Sequence, residues 1–294
     1  MKDLINRYGV GLTTIFVSLT AFWLLVLVIL PNIYLFENSF RPYLPVVEMG
    51  GPKDFYSFNN YATFFQSPIH IKVFFGTIMY SSIVTLICFL IAYPVAYYLA
   101  KVADLSIVPT IFLLLFIPMW VSEVLRSFAW FIILSLKGPL NLSLIGLGII
   151  EDPIRWMTGF RSVIIGLVYT YVLFMLFPLY NAVQSLDTNQ IEASEDLGAP
   201  WWRTHWRVIL PHCKPGIASG AVMVFMLSAG SILVPTLLAS TNSRWFTEII
   251  QQWMFESQDW NTGSAYAFLL LILCTVFVSA VMWLFKVKLS DIAK

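Results

Sequence analysis

Six mostly apolar runs, approximately 12–35, 73–100, 106–135, 162–184, 215–239 and 264–286, recur along the chain, each long enough to cross a bilayer. A hydrocarbon core of about 30 Å takes roughly 20 helical residues. Lipid offers no partner to a backbone N–H or C=O, so each run must pair those groups within itself as a helix. The sequence therefore predicts an all-α polytopic membrane protein, one domain over residues 1–294 with six transmembrane helices. Composition agrees: 59% of residues are hydrophobic and 11% charged, where a soluble domain carries about a quarter charged.

The formal net charge is +1 and the basic residues are scattered, which excludes the electrostatic footprint of a nucleic-acid binder. Cys88 and Cys274 lie deep in apolar runs and Cys213 in a basic loop, without metal-ligand spacing or an obvious disulfide partner; all three read as packing residues. Lys2 and Arg7 precede an apolar stretch that runs on for about twenty residues without a small-x-small cleavage site, the pattern of a retained first span. An even number of spans puts both termini on one side, and the positive-inside bias marks that side as cytoplasmic. Lys2, Arg7, Lys101, Arg203, Arg207, Lys214, Lys286, Lys288 and Lys294 fall there in short segments, whereas Arg41, Lys53, Lys72, Lys137, Arg155, Arg161 and Arg244 spread over longer outer loops with acidic neighbours.

The outer side then holds an irregular loop near 36–71, an amphipathic segment near 138–160 and a Trp-bearing stretch near 240–262. Trp156, Trp245, Trp253 and Trp260 read as interfacial anchors or as a ligand platform. Pro94, Pro118, Pro178 and Pro235 interrupt spans, giving either fixed curvature or hinges. No internal repeat of the kind common in secondary transporters is visible.

Between the fourth and fifth spans lies the one long cytoplasmic connection, 186–212. Asp187 can cap a first short helix, with Gln190 in capping-box position, and Gly198 can end it in the left-handed conformation. Pro200 suits the first turn of a second helix. That helix would carry Trp202, Trp206 and Ile209 on one apolar stripe and Arg203 and Arg207 on another face, as in a segment lying along a surface. Such a helix-turn-helix is either a linker resting on headgroups or a docking element.

Glu192, Ala193 and Ser194, then Gly198, then Val208, then Leu210 and Pro211, at these offsets in a six-span chain, resemble the EAA loop of permease subunits of binding-protein-dependent ABC importers. The family pattern has alanine where Ser194 stands and usually isoleucine where Val208 stands. The resemblance covers nearly the whole chain and implies a type I ABC importer transmembrane domain, multi-pass in a bacterial inner membrane. It implies that the loop forms coupling helices seated on an ABC ATPase dimer, with Glu192, Ala193, Ser194, Gly198, Leu210 and Pro211 at or near that contact. It implies, as further partners, a second and non-identical permease subunit, a periplasmic solute-binding protein and membrane lipid. ATP and Mg would be bound by the ATPase, and this chain would hold no cofactor and catalyse nothing. In keeping with that, the chain has no phosphate loop, no H-E-x-x-H helix and no nucleophile elbow, and His70, His205 and His212 stand apart in the sequence.

Thr85–Lys101, Pro118–Arg126, Lys137–Asn141, Ile164–Tyr169 and Asp196–Pro200 are similar to the spermidine/putrescine branch of that family, with sister branches for opines, aminophosphonates and iron sharing much of them. Glu123 and Arg126 stand three residues apart near the outer end of the third run, as a structural ion pair or as pathway residues. Where many permeases of the branch have Gly-acid-aromatic-x-x-Pro, this chain has Gly230, Ser231, Ile232, Leu233, Val234 and Pro235. Gly230 and Ser231 are therefore pathway candidates without the acid that would greet a cation.

Overall fold

The computed structural model describes residues 2–45, 48, 50–240 and 243–287; Lys288 and Lys294, counted above for topology, lie outside the described residues. The described residues form helices joined by turns and irregular segments, with no strand among them, as the apolar runs require. In chain order the helices are α1 (Gly9–Phe40), α2 (Asn59–Gln66), α3 (Pro68–Val102), α4 (Val108–Trp120), α5 (Glu123–Ile133) and α6 (Pro139–Gly146). There follow α7 (Arg161–Gln184), α8 (Thr188–Asp196), α9 (Trp201–His212), α10 (Lys214–Ala229), α11 (Leu233–Leu238), α12 (Phe246–Gln251) and α13 (Trp260–Phe285).

Four of these, α1, α3, α7 and α13, are unbroken, apolar and long enough to cross a membrane. The expected run 106–135 is not one helix: α4 and α5 meet at an 88° bend at residues 121–122. Pro118 lies in the last turn of α4, where it removes one backbone donor. The run 215–239 is likewise interrupted, by residues 230–232 between α10 and α11, and α9 meets α10 at 72°. Pro178, by contrast, sits inside a continuous α7.

Contacts divide the chain into two units, Met1–Pro68 with Ile250–Leu271 and Ile69–Ile249 with Ile272–Lys294. In the first, α1 begins at Gly9, whose φ of +77° breaks it from the short helix before it. Its apolar side chains remain largely exposed, as on a lipid-facing helix. An aromatic cluster of Phe36, Phe40, Phe58 and Tyr61 closes around the end of α1. There Arg41 pairs with Glu37 at 2.6 Å and Asp54 at 3.1 Å, and the Asn60 amide donates to the Ser39 and Arg41 carbonyls. The Asp259 carboxylate accepts from the Asn261 and Thr262 N–H groups, capping α13.

The second unit is built around α7, whose Val163, Leu167, Met175, Leu179 and Val183 are fully buried. Helix α10 lies against it at very short range. A Cβ on Gly216 would come within 2.5 Å of the Ala182 Cβ and 2.6 Å of the Pro178 carbonyl oxygen, and one on Gly220 within 2.7 Å of the Met175 sulfur. In lipid, helices gain little from hydrophobic burial against one another and associate through such close packing, so the Gly216-x-x-x-Gly220 pair sets the approach. Ser162 donates to the Leu238 carbonyl at 2.6 Å and ties α7 to α11.

Candidate functional site

Two regions of the second unit hold the residues singled out in the sequence. The first is the α8–α9 pair. The Asp187 side chain accepts from the Asn189 N–H at 3.0 Å, one residue earlier than the capping-box position at Gln190. At the other end of α8 the N–H of Gly198 donates to Glu195 (2.8 Å) and that of Ala199 to Ser194 (3.1 Å), the two bonds of a Schellman stop. Gly198 has φ +74°, the left-handed conformation that a Cβ penalises. The Ser194 and Thr204 hydroxyls meet at 3.0 Å and join the two helices.

The expected stripe on α9 does not form as read. A π turn, His205–Ile209, interrupts the α-helical spacing, so Ile209 is buried while Trp202 and Trp206 stay exposed. The inward face is Thr204, His205, Val208 and Ile209. His205 Nδ1 lies 2.6 Å from the Tyr93 hydroxyl and its ring meets Tyr97 edge-on at 4.6 Å. Partial burial pushes the His205 imidazole below its ordinary value, toward the neutral form. Lys101 donates to the Leu186 carbonyl at the end of α7.

What faces outward is Glu192, Ala193, Leu197, Gly198, Trp201, Trp202, Trp206 and Pro211, with Ser194 and Leu210 half-buried. Leu197 is 89% exposed and Trp201 75%, an apolar knob flanked by Arg203, which stacks over Trp202 at 5.3 Å. An open groove of about 570 Å³ runs between the helices, lined by Gln190, Ala193, Leu197, Arg203 and Arg207 among others. The helix pair, stopped at Gly198, carries large exposed apolar groups, a surface of the kind that meets either another protein or a membrane.

The second region is the pair of helix breaks. Glu123 opens α5, one residue past the 88° bend, rather than lying toward the end of a continuous span. Its carboxylate accepts from the Tyr171 hydroxyl of α7 at 3.2 Å. Arg126 follows one turn later, and the ion pairs given for the described residues, such as Arg41–Glu37 and Arg41–Asp54, do not join it to Glu123. The Arg126 Nε is buried without a hydrogen-bond partner. Ser231, in the break between α10 and α11, is 6% exposed. Its hydroxyl lies near that of Tyr171, yet it makes no hydrogen bond in this geometry. Gly230 beside it is exposed. The structure thus gathers Glu123, Arg126 and Ser231 around Tyr171, which sequence reading missed because a tyrosine in an apolar run gives no local signal.

The break is braced from farther along the chain. Trp245 Nε1 donates to the Ser228 carbonyl at 3.1 Å and the Thr247 hydroxyl to the Ser231 carbonyl at 2.6 Å. Trp245 is wholly buried, so it is neither an interfacial anchor nor a ligand platform but a plug. Trp156 donates to Asn141 Oδ1 at 2.9 Å within the 135–156 loop. Glu248 accepts from the Trp245 N–H at 2.6 Å; burial raises its carboxyl above the ordinary value, against the opposing pull of that N–H and of Arg244. Cys88 and Cys213 are buried and Cys274 half-buried, all free thiols, and no cluster of metal-ligating side chains occurs among the described residues.

Residues 88–287 match the family described as binding-protein-dependent transport system inner membrane component. The chain is 34% identical over 275 residues to the spermidine/putrescine transport system permease protein PotB of Salmonella typhimurium (strain SL1344), covering 92% of this chain and 94% of that one. To PotB of Haemophilus influenzae it is 33% identical over 282 residues, covering 95% and 94%. A chain in the crystal structure of the bacterial alginate ABC transporter, in complex with its alginate pentasaccharide-bound periplasmic protein, shares the fold with a TM-score of 0.75. That match has 20% identity and covers 98% of this chain and 99% of the other.

Proposed function

We propose that this chain, which belongs to the family of binding-protein-dependent transport system inner membrane components, is a permease half of an ATP-driven polyamine importer. The observation that carries the solute class is the 34% identity to a spermidine/putrescine permease along 92% of the chain. The protein is a multi-pass membrane protein, and in this reading both termini and the α8–α9 pair lie on the cytoplasmic side. The pair seats on an ABC ATPase dimer, with Glu192, Ala193, Ser194, Gly198, Leu210 and Pro211 at or behind the contact. The ATPase holds ATP and Mg, and this chain hydrolyses nothing. A second, non-identical permease completes the pathway, and a periplasmic binding protein delivers solute outside.

The geometry supports this division of labour. Lys101, Tyr93 and Tyr97 fasten the loop to α3 and α7, so force applied to α8–α9 reaches the spans directly. Glu123, Arg126, Gly230 and Ser231 flank the helix breaks, the kind of irregular backbone that membranes tolerate only where it is buried in protein or lines a cavity. Alternating access then follows from the different affinities of ATP and of loaded binding protein for the two states.

The test is uptake into liposomes containing the chain with its cognate partners, with and without internal ATP. ATP-dependent uptake of spermidine or putrescine supports the reading. Stimulated ATP hydrolysis without polyamine uptake keeps the importer and replaces the solute. Uptake indifferent to ATP overturns it.

A further inference from the structure

We propose that Glu123 is the carboxylate that receives the ammonium group of the solute, and that Arg126 is a tethered cation competing with the solute for it. The inference rests on the polyamine-permease reading above and assigns within it the acidic group that the fifth run lacks.

Four observations carry it. First, Glu123 sits at the amino-terminal end of the eleven-residue α5, where the helix dipole favours an anion, and it is half-buried beside the bend. Second, an ionised carboxylate offers about four acceptor positions, and the Tyr171 hydroxyl takes one. Third, Ser231 presents a nine-tenths-buried hydroxyl without a partner near that of Tyr171. Its own carbonyl is already satisfied by Thr247, so the hydroxyl is the polar atom left over. An alkylammonium group, with two or three N–H donors, can bond to Glu123 and Ser231 together; exposed Gly230 leaves the approach without a side chain.

Fourth, Arg126 is placed to pair with Glu123 and does not. Residues three apart on a helix are neighbours, so a change of rotamer suffices to join them. Here Tyr171 holds the carboxylate while the Arg126 Nε stays buried and unsatisfied. A buried donor without a partner is a costly state, relieved when the guanidinium captures the carboxylate. Solute occupies Glu123 in one state, and Arg126 replaces it in the other and expels it. Opposite charges kept close but apart give a site that both binds and releases a cation.

The experiment is ATP-driven spermidine uptake in proteoliposomes with the cognate subunits, comparing wild type with E123Q, R126Q, R126K and Y171F. The competitor role predicts that R126Q lowers KM about fivefold, the worth of one partly exposed ion pair, and lowers kcat because release slows. R126K keeps the wild-type KM. E123Q raises KM about tenfold or more, the worth of a charge-assisted hydrogen bond, and Y171F raises it by freeing the carboxylate for Arg126. A raised KM in R126Q overturns the proposal, because Arg126 then supports the site that holds the cation and does not compete with it. An unchanged KM in both R126Q and E123Q overturns it while leaving the importer reading intact, and wild type that imports no spermidine removes the solute reading itself. Gel filtration of the assembled complex separates these outcomes from misfolding, and Y171F tests the competition with both charges in place.

Discussion

The α8–α9 pair and the break between α10 and α11 are both short irregular elements of the second unit, yet they are held in opposite ways. The pair is shaped mainly by its own sequence: Asp187 starts it, Gly198 and Ala199 stop it, and Pro200 begins the next helix. The break is shaped by residues far along the chain, with Trp245 and Thr247 supplying the donors that its carbonyls lack. An element encoded locally tolerates an exposed outer face and keeps its form. One encoded at a distance depends on a buried plug.

The comparison is broken most decisively at the plug. Trp245→Ala removes a fully buried ring and the donor to Ser228, and should cost about 3–5 kcal/mol, read as a large loss of thermal stability in detergent. A small loss would mean that the break holds itself. Next comes the close approach of α10 to α7: Gly220→Val forces a branched side chain against Met175 and should cost about 1–3 kcal/mol by the same measurement. In the helix pair, Gly198→Ala meets open space but carries a left-handed φ, so about 1 kcal/mol is expected. Gly198→Asp should change stability as little while abolishing ATP-coupled uptake. Wild-type copurification with the ATPase and wild-type transport in that variant would sink the docking role.

The smallest expected effects differ in sign between the two regions. Glu248 has a raised folded value, so ionising it opposes folding. That penalty is present above its folded pKa and is relieved as pH falls through it toward the ordinary value of 4.5. His205 has a lowered folded value, so protonation opposes folding. Stability there is intact above 6.5 and is lost as pH falls below it toward the folded pKa. Amide exchange should accordingly show α9 loosening on acidification while the neighbourhood of Glu248 tightens; E248Q and H205N should each flatten one response. Loosening in both regions would show that Glu248 does not govern its own, and an α9 indifferent to acid would show the same of His205.

The same contrast explains what sequence reading could and could not reach. The apolar runs and the stop at Gly198 are local signals, and α1, α3, α7 and α13 follow from them. The 88° bend was half visible, since Pro118 marks the neighbourhood without fixing whether the helix curves or breaks. Gly216-x-x-x-Gly220 is a local signal too, a small-residue spacing that marks close helix packing. The stripe on α9 failed because a π turn alters the angular step between Trp206 and Ile209, and the spacing rule assumes α geometry. Trp245 and Tyr171 carry no signal at their own positions; their roles exist only once α7 meets α5 and residue 245 meets α10.

The bracing of the break also bears on how such a chain diversifies. The Ser228 and Ser231 carbonyls are served by side chains seventeen and sixteen positions downstream, so the backbone there owes nothing to the side chain at 231. Replacement of that one residue by another small side chain leaves this bracing in place while it changes the group offered to the proposed pathway. Position 231 is in effect a socket, and a lineage could acquire a new cargo there by single exchanges without first passing through an unfolded ancestor.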